Sequence, residues 1–311
     1  MIRLSDYLRR PAVYSVSSVC AVILVAGCAG SPAPTRTPPE ANWMDLIDEA
    51  TVSGVDPSGP IKLAGGVYEG PPYVAGGASR PRTVLIRRTM RLGDLNGKAG
   101  DEVVVLLSSS SGGSGEFIHL AVFADDDGAA RNIGTAAVGD RVDLVRMDVA
   151  DRNIILDVVE AGPTDAMCCP TQLTRKEYRL ELGRLEHVSN ELMGKLSLSM
   201  LEGSEWSLVE MDGQRLPEGV KPATFKVADG RAAGFSGCNN YTGSIEETSP
   251  GNIRLGQQAV TMKACIEPHA SYERGYLQRL SRARSYSFVA GRLALSWGDG
   301  EGGQGVLLFE R

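Results

Sequence analysis

Histidine is scarce in this sequence, with 3 in 311 residues, and aromatic side chains make up only 6%, so much of the usual material of active sites is missing. His119, His187 and His269 stand far apart, and none belongs to a His-Glu-x-x-His zinc motif. A Gly-x-Ser-x-Gly elbow is also absent, since Gly112-Gly113-Ser114-Gly115-Glu116 fails at its last position. Basic charge is not in excess either. Against 38 Asp and Glu there are 32 Lys and Arg, a formal charge of −6, which gives no footprint for neutralising phosphates and argues against nucleic-acid binding. No repeat recurs at a period of about 20 to 50 residues, which excludes a solenoid or propeller. Nothing in the chain groups a nucleophile, a base and an oxyanion site, so no catalytic residue, cofactor or metal site is expected.

The residues that are present describe a folded, turn-rich chain. A 42% hydrophobic content supports packed cores, 37 glycines favour strands and turns over helical bundles, and the length suggests about two domains.

At the N-terminus Arg3, Arg9 and Arg10 precede an apolar stretch from about Ala12 to Ala26. A positive end, a short apolar run and small residues before a cleavage point describe a secretory signal, and the run is short of the roughly 20 residues a membrane span needs. Val25-Ala26-Gly27-Cys28 resembles the lipobox of bacterial lipoproteins. The resemblance implies cleavage after residue 27, acylation of Cys28 and a tether to the membrane through its lipid chains. Ala29 stands where an aspartate tends to retain such proteins in the inner membrane, which implies the outer membrane, facing the periplasm. Residues 28–41, rich in proline and small side chains, are expected to be a lipidated spacer.

Apolar residues at Trp43, Leu46, Ile47 and Ala50 predict a short helix. From Thr83 to Leu182 the pattern is β: a continuous run Val103–Leu107, partial alternation over Phe117–Phe123, and a hairpin turning at Ala150–Asn153. Residues 42–190 are read as one β-rich domain. Alternation returns at Trp206 and Leu208, Phe225 and Val227, and Leu293, Leu295 and Trp297. Pro268 followed by Tyr272, Tyr276, Leu277 and Leu280 predicts one amphipathic helix on that second sheet. The fold class is α+β, mostly β, in two β-rich domains.

Gly237-Cys238-Asn239-Asn240-Tyr241-Thr242-Gly243, then Thr261-Met262-Lys263-Ala264-Cys265 and the helix after it, resemble the META or HslJ-like domain of bacterial envelope proteins, over residues 203–311. Lys263 stands where that family usually has a hydrophobic or small residue. The resemblance implies a compact α+β domain associated with heat-inducible expression and novobiocin tolerance, without established catalytic chemistry. Cys238 and Cys265 are then the natural candidates for a disulfide in an oxidising periplasm, structural rather than redox-active because no Cys-x-x-Cys spacing is present. Glycine and asparagine around Cys238 are expected to supply the positive backbone angles of a sharp turn. That pairing leaves Cys168 and Cys169 together. Neighbouring Cα atoms stand about 3.8 Å apart, so a bond between them would be strained, and buried free thiols or intermolecular pairing are the alternatives.

Asp94-Leu95-Asn96-Gly97-Lys98-Ala99-Gly100-Asp101-Glu102 resembles a calcium loop, but Lys98 places an ammonium where a third carboxylate should stand, so a polar turn is the preferred reading. The functional expectation is a non-enzymatic, lipid-anchored envelope protein acting in maintenance or stress tolerance through binding, with an envelope protein or an apolar small molecule as partner. The alternative is a periplasmic carrier or chaperone-like module for an apolar small molecule.

Overall fold

The computed structural model describes residues 40–98, 100–166 and 169–311. Cys28, nearly all of the 28–41 spacer and Cys168 lie outside them. Helix α1 (Glu40–Asp48) starts inside the stretch assigned to the spacer and buries Trp43 and Ile47 completely. It is followed by a small sheet of β1 (Thr51–Asp56) and β2 (Gly59–Lys62).

Two antiparallel meanders come next. The first orders β3 (Val67–Glu69), β4 (Arg82–Gly93), β5 (Glu102–Ser110), β6 (Phe117–Asp126) and β7 (Ala129–Asp140) side by side. The second does the same with β8 (Asp143–Ala150), β9 (Asn153–Glu160), β10 (Gln172–Glu181) and β11 (Arg184–Lys195). The unbroken apolar run of β5 follows from its place in the middle. Val104 and Leu106 face the second meander, while Val103, Val105 and Leu107 face α1 and the small sheet. A strand covered on both faces has no reason to alternate, and each fully buried Val or Leu contributes about 1.5 to 3 kcal/mol.

A short 3₁₀ turn (Leu198–Leu201) leads into the C-terminal unit. Its strands are β12 (Glu205–Met211), β13 (Gln214–Arg215), β14 (Thr224–Ala228), β15 (Arg231–Phe235), β16 (Asn240–Ser249), β17 (Asn252–Leu255), β18 (Ala259–Val260), β19 (Ala283–Val289), β20 (Arg292–Gly298) and β21 (Gln304–Glu310). Pairing runs β12-β14-β15-β16-β17-β19-β20-β21, and β21 returns to β12, so the sheet closes into an antiparallel barrel. Closure removes the open edges that a flat sheet would expose. Helix α2 (His269–Leu280) begins directly after Pro268 and buries Tyr272, Tyr276 and Leu280, with Leu277 packed at the margin of the same core.

The two units share their interior. Val159 and Leu196 belong to the barrel's core, and Ala290 packs on the core between the meanders. Ala290 and Gly291, with φ of 51° and 80°, form the tight turn between β19 and β20, and the Gly291 N–H donates to the Leu144 carbonyl at 2.9 Å. Among the described residues no helix is long and apolar enough to cross a membrane.

Candidate functional site

The two sequence motifs of the C-terminal unit meet at one end of the barrel. A turn after β15 carries Ser236, Gly237, Cys238 and Asn239, and the segment between β18 and α2 carries Thr261 to Ile266. Cys238 and Cys265 are joined, with Cα atoms 6.2 Å apart. Of the residues expected to adopt positive backbone angles only Gly237 does, at φ 109°, and a Cβ there would overlap the Tyr272 ring. Asn239 serves a different purpose.

Its side chain is a buried clamp. Oδ1 accepts from the Lys263 N–H at 2.7 Å and from Thr261 Oγ1 at 2.9 Å. Nδ2 donates to Glu273 Oε1 at 2.9 Å and reaches the Lys263 carbonyl at 3.2 Å and Cys265 Sγ at 3.4 Å. Glu273, projecting from the second turn of α2, accepts through Oε2 from the Asn239 N–H at 2.7 Å and from Ser236 Oγ at 2.5 Å. Burial alone would raise the Glu273 pKa, but these donors, with the Cys238 N–H, outweigh it and hold the carboxyl below its ordinary value. Lys263 enters the clamp through its backbone, which explains how the position tolerates an unusual side chain. The segment so fixed leaves Met262 97% and Ile266 81% exposed.

Beneath the clamp the barrel is filled with rings. Tyr241 and Tyr276 hydroxyls lie 2.9 Å apart and both donate to the Thr224 carbonyl, at 2.8 and 3.3 Å, while Tyr272 Oη accepts from the Ala223 N–H at 2.9 Å. Burial pushes the Tyr272 phenol up to about 12 and raises Tyr241 and Tyr276 as well, so all three stay neutral donors or acceptors. Phe225 contacts Phe309 with centroids 5.8 Å apart, and Trp206 contacts Phe288 at 6.2 Å. At the far end of α2, Asp212 accepts from Arg279 Nε at 2.6 Å, Trp297 Nε1 at 2.9 Å and the Val306 N–H at 3.0 Å.

Other features singled out in the sequence do not converge. In the Asp94–Glu102 loop the Glu102 carboxylate is turned inward and accepts from the Leu95 and Asn96 N–H groups at 2.8 and 3.1 Å, while Asp94 accepts from the Gly97 N–H at 2.6 Å. These oxygens close a polar turn. His119 is buried with Nε2 2.9 Å from Ser109 Oγ, and His187 Nε2 lies 2.8 Å from Asn190 Oδ1 on the exposed β11. Cys169 is exposed, and its N–H donates to the Ala166 carbonyl at 2.8 Å; its neighbour Cys168 and the lipidation residue Cys28 lie outside the described residues. Sequence reasoning missed Glu273, the carboxylate that anchors the clamp. Its only signal was a charged residue directly after Tyr272, on the edge of the helix's buried face.

Residues 199–310 match the family model described as META domain. No curated protein matches the chain. Among solved structures, a protein from Burkholderia xenovorans determined by NMR is 24% identical over 36% of this chain and 84% of its own, with a TM-score of 0.30.

Proposed function

Starting from a chain whose residues 199–310 form a META domain, we propose a non-enzymatic, lipid-anchored component of the cell envelope that acts in envelope maintenance or stress tolerance by holding a protein partner. The domain supports the envelope and stress assignment, and the Val25-Ala26-Gly27-Cys28 junction supports the anchor, with Ala29 favouring the outer membrane. One observation carries the binding reading. Met262 and Ile266 are large, apolar and almost fully exposed on a segment fixed by a disulfide and by the Asn239 and Glu273 clamp. Burying both against a partner would contribute about 3 to 6 kcal/mol, with little ordering cost because the backbone is already fixed. The carrier alternative draws less support, because the barrel interior is occupied by rings in mutual contact.

Complementation tests this reading. In a strain lacking the protein, Met262→Ser with Ile266→Ser should fail to restore heat or novobiocin tolerance while accumulating at wild-type levels, and Cys28→Ser should fail through loss of acylation. Full tolerance from the double variant would remove the loop from the function.

A further inference from the structure

We propose that reduction of the Cys238–Cys265 bond opens a zinc site made by the two cysteine thiolates and the Glu273 carboxylate. The three ligand atoms lie within 4.8 Å of one another, and each residue is only partly buried, so both a reductant and a metal ion can reach them. Zinc takes thiolate sulfur at about 2.3 Å and carboxylate oxygen at about 2.0 to 2.2 Å, which in a tetrahedron places the two sulfurs about 3.8 Å apart. The Cα separation of 6.2 Å accommodates that spacing by side-chain rotation. A bonded pair of sulfurs cannot offer two thiolates, so the disulfide and the metal exclude each other.

The surroundings suit the ion. Four donors reach the Glu273 carboxylate: Asn239 Nδ2 at Oε1, Ser236 and the Asn239 N–H at Oε2, and the Cys238 N–H; a metal takes the place of the Asn239 Nδ2 bond on Oε1, while the others fix the carboxylate's direction. Asn239 Nδ2 also points at Cys265 Sγ, 3.4 Å away, where it would donate to a thiolate. Hydrogen-bonded partners of this kind orient ligands in metal sites. Water completes the fourth position. Sequence spacing hides the set, because Glu273 lies eight positions past Cys265 and only the docking of α2 brings it to Cys238.

The chemistry balances with a dithiol as reductant. The dithiol gives two electrons and two protons to the Cys238–Cys265 bond and closes its own disulfide, leaving two protein thiols; zinc binding then releases those two protons to solvent. The inference is independent of the docking role of Met262 and Ile266.

The test uses the full chain in detergent with Cys20, Cys28, Cys168 and Cys169 changed to Ser, so that only the pair in question supplies sulfur. Samples are oxidised, or reduced with a dithiol that is then removed without air, and titrated with cobalt(II) and, against a chromophoric chelator, with zinc. The reduced chain should take up one equivalent with a thiolate-to-cobalt charge-transfer band, and the oxidised chain none. Glu273→Gln should keep that band but weaken zinc binding at least tenfold, whereas Cys265→Ser should abolish the band. Equal uptake by the oxidised and reduced chains would overturn the proposal. So would unchanged affinity in Glu273→Gln, the result expected if a reduced, unfolded thiol pair were binding the metal.

Discussion

Asn239 and Glu273 show how much one side chain can hold. Removing the Asn239 amide leaves the Lys263 N–H, a Glu273 oxygen and the Thr261 hydroxyl without their partner at once. Asn239→Ala is therefore expected to destabilise the protein by about 2 to 3 kcal/mol, read as a lower urea midpoint. Glu273 makes the effect pH-dependent. Its folded pKa is depressed, so the stability it contributes is present above its ordinary 4.5 and is lost as pH falls through the folded value. Urea midpoints measured from pH 6 to pH 3 should fall less steeply in Glu273→Gln than in the wild type; parallel curves would refute this assignment. Of these residues the cysteines were legible through motif and family resemblance. Asn239 was noticed for a backbone angle it does not adopt, because a single sequence carries no trace of what a side-chain amide will face across 24 residues.

At the scale of elements, periodicity reported well wherever one face of a strand or helix is wet. The hairpin of β8 and β9, the inward residues Tyr272, Tyr276 and Leu280 of α2, and the alternation of β12 and β14 all follow from that rule, whereas the first four residues of β20 are buried on both faces. Phe117–Phe123 alternated only in part because its centre is covered on both sides. The tie between the turn after β15 and the segment before α2 closes a span of 27 residues. Cys238→Ala should therefore lower unfolding stability by roughly 3 to 4 kcal/mol in oxidising buffer, and the difference should vanish once the wild type is reduced. Calorimetry with and without a dithiol checks both halves.

The whole molecule was the least legible level, since no local pattern announces that β21 will pair with β12 or that the β19–β20 turn will dock on β8. Asp143, itself only partly buried, lines a gap of about 10 Å³ there with Ile86, Phe288 and Ala290. Burial, with the Glu116 carboxylate adding to it, pushes Asp143 up to about 7. A raised folded pKa means that this carboxyl is neutral below about 7. Its contribution to stability is full below the ordinary 3.8 and is lost as pH rises through about 7. Asp143→Asn should flatten the decline in urea midpoint between pH 5 and pH 8.5, and an unchanged slope would assign that decline to other groups. The pairing of β12 with β21 also fixes when the barrel is safe. Ser207 finds its last partner in Glu310, so the outer edge of β12 stays open until the last strand of the unit has docked. Until then a nearly finished barrel presents an unpaired strand to other unfolded chains, and the hazard ends only when β21 covers it.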